Sequence, residues 1–213
     1  MSKNRLSARL RALLGFIEPC KVFADVGCDH GYIAESVLEK ELAERVVISD
    51  ISFKSLNKAV KLLFQYGERV NAICTDGMKG FPENVDQALI AGMGGEEIVK
   101  ILQSAPYVPE TVVCQPMKNA DKVRRSLIGL GYKLTRDTVF FDGNKYYFII
   151  RAEIGASDYS EREIIWGREN LDDPVFKNYL RDKIARLKKY GESASEELEV
   201  KVVELEKLLN ETE

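Results

Sequence analysis

Val22-Phe23-Ala24-Asp25-Val26-Gly27-Cys28-Asp29-His30-Gly31-Tyr32-Ile33 reads as a short buried strand, an acid, a glycine turn and the start of a helix. It holds the single histidine of the 213-residue chain. Glycines at such a turn bring backbone N–H groups close to a ligand, because no Cβ stands in the way. Asp25 is the unusual part. A loop built for phosphate would not want a carboxylate at the strand end, whereas a site for a cationic, amino-acid-bearing ligand can use one.

Outward from this stretch, strands and helices alternate. Strands are expected at 22–26, 45–50, 70–75, 87–91 and 111–115, and helices at 32–42, 53–66, 95–104 and 120–130. The runs VVIS, ALIA and TVVC are short and nearly uncharged, as strands buried on both faces should be. Such βα repeats specify a doubly wound parallel sheet with right-handed crossovers. A helix over 5–17 precedes it, with Leu6, Leu10, Leu13, Leu14 and Ile17 at helical spacing and Pro19 as its stop. After the fifth strand the pattern changes. Tyr132–Phe141 and Lys145–Glu153 flank Asp142-Gly143-Asn144, a hairpin signal. A parallel sheet closed by an antiparallel hairpin resembles the class I S-adenosylmethionine (SAM) methyltransferases: an α/β, Rossmann-like seven-stranded sheet.

From about Ser160 the chain turns to long charged, helix-forming stretches at 160–170, 175–190 and 195–210. Leu198, Val202, Leu205 and Leu209 form a narrow stripe, and Tyr179, Leu180, Ile184, Leu187 and Tyr190 offer a matching face. The expected organisation is a catalytic domain over 1–156 and a C-terminal α-helical hairpin over 157–213.

Composition narrows the function classes. No window approaches the ~20 apolar residues of a membrane span, and the N-terminus lacks the apolar core of a signal peptide. Cys20, Cys28, Cys74 and Cys114 form no CxxC pair, which suits reduced thiols in the cytoplasm. One histidine and scattered cysteines make a metal site unexpected. The net charge of -3 argues against a generally basic chain. Basic residues are nonetheless clustered: Arg5, Arg9 and Arg11 in the first helix, Lys118 to Arg125 after Pro116, and Lys177 to Lys189 in a late helix. Each run reads either as a solvated helix face or as part of a polyanion-binding surface.

Three acids stand at successive strand ends, the edge where parallel sheets bind ligands. Asp25 comes first. Asp50 follows at the interval of ribose-binding acids in nucleotide-binding units, though a helix N-cap is an alternative reading. Asp76, in Thr75-Asp76-Gly77, can accept from an adenine amino group or simply sit in a turn. The Ala91-Gly92-Met93-Gly94-Gly95 turn leaves room for a flat base, or serves as a tight strand-to-helix connection.

DVGCDHGYI, AGMGG and Gln115-Pro116 together resemble the bacterial tRNA (adenine-22) N1-methyltransferase family, most specifically over residues 5–155. Met117 stands where that family often has Asn. The resemblance implies SAM as cofactor, held by Asp25, Gly27, Asp50, Ile51, Asp76, Gly77, Met78, Ala91, Gly92 and Met93. It implies tRNA as partner, with Asp29, His30 and Tyr32 as candidate catalytic residues. His30 could equally cap a helix, and Tyr32 could stack on the base or fill a gap. Arg5, Arg9, Lys118, Arg124, Arg181, Arg186 and Lys189 are the candidate RNA contacts, and a monomer is expected. The rival readings are methyl transfer to a small molecule and a non-catalytic SAM- or RNA-binding module.

Overall fold

The computed structural model describes residues 6–81, 84–156, 158–190 and 196–212. Five strands, β1 (Cys20–Val26), β2 (Ala43–Asp50), β3 (Val70–Cys74), β4 (Gln87–Met93) and β5 (Thr111–Pro116), run parallel. Two more, β6 (Tyr132–Phe141) and β7 (Tyr146–Ile154), are added antiparallel to give the order β3-β2-β1-β4-β5-β7-β6. The hairpin expected from Asp142-Gly143-Asn144 is therefore present, and β7 rather than β6 pairs with β5.

The strand order reverses between β1 and β4. Crossovers on the two sides of that point lie on opposite faces and leave a crevice at the C-terminal edge. Register places Asp25 opposite Ile48 and Leu89, with Val26 opposite Ser49 and Ile90. The ends of β1, β2 and β4 thus share one rim.

Helices cover both faces because the strands are apolar on both. On one side lie α1 (Ala8–Leu14), α2 (Tyr32–Glu39) and α3 (Phe53–Leu63), with Leu13, Ile33, Val37, Leu56, Ala59 and Leu63 buried against the sheet. On the other lie α4 (Gly95–Ser104) and α5 (Ala120–Gly129), burying Ile98, Ile101, Val123 and Leu127. Burial of this apolar area, at about 25 cal/mol per Å², is what holds the layers together.

The C-terminal segment forms α6 (Glu161–Trp166), α7 (Pro174–Tyr190) and α8 (Glu196–Thr212). The helix expected over 160–170 is interrupted. Ser160 and Glu163 form a capping box at its start, but α6 ends at Gly167, which has φ +87°. A Cβ there would lie 2.3 Å from the Asn170 side chain and 2.7 Å from Asp137, so only glycine lets the chain pass. Phe176, Leu180, Ile184, Leu205 and Leu208 bury the facing stripes of α7 and α8. Val139 belongs to the same cluster, with Tyr146 and Phe148 packed on it, so the helix pair rests on β6 and β7.

Candidate active site

Asp25 lies at the crevice with 6% of its surface exposed. Its Oδ2 accepts from the Ala34 N–H at 3.3 Å, in the first turn of α2. Burial raises its pKa to about 7; the Ala34 bond opposes this, and the neighbouring Asp50 charge adds to it. Burial penalises its charged form, which a neighbouring cation would favour. Gly27 follows at φ +73°, and a Cβ on it would lie 2.1 Å from the Met93 methyl. Gly27 and Met93 are thus in contact across the β1–β4 gap, and the left-handed backbone conformation calls for glycine.

Asp29, His30 and Tyr32 form one connected group beyond that turn. Asp29 has φ +45°, unusual for a residue with a side chain, and its N–H donates to Asp50 Oδ2 at 3.1 Å. His30 Nδ1 meets Asp29 Oδ2 at 2.7 Å, and His30 Nε2 meets Lys58 Nζ at 3.4 Å. A carboxylate only accepts and an ammonium only donates, so this arrangement fits a neutral ring with the proton on Nδ1. The ring stacks on Tyr32 at 5.4 Å. His30 is therefore not a helix cap: Gly31 occupies that position.

Asp50 is not a cap either, because Ser52 caps α3 by accepting from the Ser55 N–H. The Asp50 carboxylate instead accepts from Ser52 N–H at 2.7 Å and Asp29 N–H at 3.1 Å. It thereby couples the β1 turn to the β2 turn. Ile51 beside it is 76% exposed, an apolar surface next to an acid. Asp76 is exposed and paired with Lys79 Nζ at 2.6 Å. Gly77 has φ +67°, and its carbonyl accepts from the Ser49 hydroxyl at 2.8 Å, tying the third turn to the second strand. Met78 requires correction. It is fully buried in the core beneath α4 and presents no surface to a ligand.

The AGMGG turn divides its work. Gly95 packs against backbone: a Cβ would lie 2.3 Å from the Asn119 carbonyl oxygen and 2.7 Å from that of Lys118. Gly92, at φ +80°, is exposed, while Ala91 and Met93 are half-buried. Tight connection thus explains the last glycine, and the left-handed backbone at φ +80° the first. Asp25, Gly27, Asp29, His30, Tyr32 and Ala91 line one cleft of about 210 Å³, together with Arg9.

The basic residues separate into groups that sequence alone did not distinguish. Arg5 lies outside the described residues. Arg9 turns into the cleft, donating to Gln115 Oε1 at 2.7 Å, rather than lying on an outer basic face. Arg124 is a second correction: it is 0% exposed, with Nε 2.6 Å and Nη2 3.1 Å from the Asp137 carboxylate. Its Nη1 donates to the Ile165 carbonyl at 2.9 Å, binding α5 and β6 to the end of α6. It has no surface for RNA. Lys118, Arg181, Arg186 and Lys189 are exposed. Lys118 lines an open cleft of about 830 Å³ between the β5–α5 loop and the C-terminal helices, with Lys183, Lys201, Lys207, Trp166 and Tyr179 also along its wall.

In the sequence Gln115 stands out only as part of the Gln115-Pro116 pair. Its structural role was missed, although an uncharged polar residue ending an apolar strand was a visible signal. Lys58 was also missed, because nothing in its helix marks which cation meets His30.

A family described as a methyltransferase domain matches residues 6–150. The chain belongs to it. A Mycoplasma pneumoniae protein named as a candidate tRNA methyltransferase is 32% identical over 136 residues, 62% of this chain and 63% of that protein. The match thus spans less than two thirds of that relative's own length. The Bacillus subtilis tRNA (adenine(22)-N(1))-methyltransferase is 26% identical over 164 residues, covering 74% of this chain and 69% of that one. A Streptococcus pneumoniae protein, described as a candidate tRNA (m1A22) methyltransferase and solved with SAM, superposes with a TM-score of 0.85. It is 25% identical, with 97% of this chain and 99% of that chain covered. The chain thus has the seven-stranded mixed sheet of its family, with the cleft at the strand-order reversal.

Proposed function

We propose that this methyltransferase transfers a methyl group from SAM to N1 of adenine 22 in tRNA. The observation that carries the reading is the buried Asp25, raised to about 7 at the glycine turn of a methyltransferase-family sheet. Its chemistry fits a cofactor bearing an ammonium group, and Gly27 beside it fits close approach of the cofactor's amino-acid end. The Bacillus subtilis and Streptococcus pneumoniae relatives support the choice of nucleic-acid substrate and cofactor.

In this reading Asp25 takes the ammonium of SAM and Asp50 the ribose hydroxyls, with Ile51 against the adenine ring. Asp76 and Gly77 border the adenine, and Ala91, Gly92 and Met93 border the methyl donor. When bound, SAM supplies an electrophilic methyl group, which the adenine N1 lone pair accepts without needing a strong base. The protein's work is placement of that nitrogen in line with the methyl carbon. Asp29, exposed and within the cleft, is placed to stabilise the positive charge that develops on the methylated ring. His30 orients Asp29 through Nδ1, and Tyr32 offers a flat face for the base. N1 is on the pairing edge, so the adenine must be unpaired or extruded to reach the cleft.

Exposed Lys118, Arg181, Arg186 and Lys189 would hold RNA backbone, and the 830 Å³ cleft, whose wall carries lysines and aromatic rings alongside Asp121, Glu204 and Glu211, would admit a single-stranded segment. We assign residues 1–156 to catalysis and 157–213 to RNA holding, and we place the protein in the cytoplasm as a monomer; no helix among the described residues is long and apolar enough to cross a membrane. The test is incubation of unmodified tRNA with the protein and labelled SAM, followed by mapping of the methylated nucleotide. Label at N1 of adenine 22 is expected. Label absent from tRNA, with the SAM complex formed, would overturn the reading.

A further inference from the structure

α3 is apolar along two lines. Leu56, Ala59 and Leu63 are buried against the sheet. At about 100° per residue, Phe53, Val60 and Phe64 (the last at the helix C-cap) fall on a second line, roughly a quarter turn round the helix. This second line is open to solvent. Phe64 is 84% exposed and Phe53 71%, the two most exposed phenylalanines among the described residues, and Val60 is exposed beside them. Apolar side chains scattered singly over a surface are ordinary, but these three are aligned over about 16 Å of one helix. Lys54, Lys58 and Lys61 stand on the outer side of this line, and α3 contains no acidic residue. Among the described residues no carboxylate pairs with any of the three; Lys58 reaches His30 Nε2 at 3.4 Å.

Position gives this face its meaning. α3 packs on β2 and β3, at one end of the sheet, whereas α7 and α8 rest on the β6–β7 hairpin at the other. The cleft at the strand-order reversal lies between them. The α3 N-cap, Ser52, follows two positions after Asp50 of the acidic rim, and Lys58 meets the Asp29–His30–Tyr32 group. The face is thus continuous with the cleft. Ammonium groups beside exposed flat rings are the recognition chemistry of unpaired nucleic acid, in which cations take phosphates and rings stack on bases of any kind. A lipid surface would use the same side chains, but gives no reason for the cations to run up to His30. We propose that the outer face of α3 is an RNA-docking surface. Phe53 and Phe64 stack on bases left unpaired around the extruded adenine, and Lys54 and Lys61 hold the phosphates near them. This rests on the tRNA reading above and deepens it: the RNA is held at both ends of the sheet, with the methyl donor in between.

The experiment measures tRNA binding, SAM binding and steady-state methyl transfer for the full chain and three variants: Phe64→Ala, Phe64→Trp and the double variant Lys54→Gln/Lys61→Gln. None of these side chains lines the cofactor cleft. Phe64→Ala should weaken binding of unmodified tRNA at least about fivefold, the scale of one lost base stack, and raise KM for tRNA with kcat nearly unchanged. Phe64→Trp, which keeps a flat ring, should bind tRNA as the unaltered protein does. The lysine variant should bind tRNA more weakly, with a salt slope shallower by about one unit per lysine. SAM affinity and Tm should stay constant throughout. A parallel fall in SAM affinity or Tm would mean a structural role and overturn the proposal. Unchanged tRNA affinity in Phe64→Ala and in the lysine variant would overturn it too. If those variants instead lose binding to phosphatidylserine–phosphatidylcholine vesicles, or lose self-association in sedimentation, the face serves a membrane or a second copy. If the unaltered protein binds no tRNA, the tRNA reading itself falls, a result distinct from any of these.

Discussion

The acidic rim at the strand ends and the basic residues on the helices were both conspicuous, yet they behaved differently once folded. Asp25, Asp50 and Asp76 end β1 and β2 or follow β3, so the sheet itself delivers them to one edge. Arg124 and Arg125 are neighbours on one helix with the same side chain. Arg124 is fully buried on Asp137, whereas Arg125 is exposed and paired with Glu161 at the surface. A strand end determines where its side chain goes, because the sheet has one C-terminal edge. A helix offers positions 100° apart, and the neighbour that covers each face decides between buried keystone and solvated cation.

The largest expected effect breaks the apparent equivalence of the two arginines. Arg124→Ala leaves the Asp137 carboxylate buried without its partner and should cost about 3–5 kcal/mol of stability, read by denaturant unfolding. Arg125→Ala should leave stability nearly unchanged, because its ion pair with Glu161 is exposed and screened by solvent. Similar small effects for both would mean that Arg124 is not the tie between α5, β6 and α6.

Next comes the acidic rim. Asp25→Asn should weaken SAM binding by about 1.5–3 kcal/mol, the range for a hydrogen bond to a charged group. A bound ammonium favours the ionised carboxylate, so affinity should rise with pH and level off above about 7, where Asp25 is already ionised. The Asn variant should lose that part of the pH dependence. Fold stability has the opposite trend. The folded state binds the Asp25 proton more tightly than the unfolded chain, so this contribution falls as pH rises from the ordinary carboxylate range to about 7. A titration of SAM affinity with no difference between the two proteins would remove Asp25 from the cofactor site.

The smallest effect per residue belongs to the exposed cations of α7. Reversing Arg181, Arg186 and Lys189 to Glu should weaken tRNA binding, with a salt slope shallower by about one unit per cation lost, while SAM affinity stays constant. A tRNA affinity that does not move would make this helix a solvated face.

The succession of strands and helices along the chain, the closing hairpin and the acids of the rim were legible because each depends on short-range pattern: alternating apolar runs, turn glycines and strand ends. The break at Gly167 was not, since it depends on Asn170 and on Asp137 from a distant strand. Met78 reads as a cofactor contact beside Gly77 and is core, packed with Ile98 and Ile101 of α4. Arg9 looked like one of several basic residues on an amphipathic helix. Only the packing of α1 near the ends of β4 and β5 shows it to be a cleft residue.

The sequence alone therefore determined the architecture and the make-up of the β1 turn: a parallel sheet with one binding edge, a glycine turn after the first strand, and an acid at that strand's end. Tertiary structure decided which charges are available. Burial set Asp25 near neutral pH, Asp137 sequestered Arg124, and Gln115 drew Arg9 into the cleft. The physical reason is that backbone pattern is local, whereas desolvation and charge pairing depend on groups brought together from far along the chain.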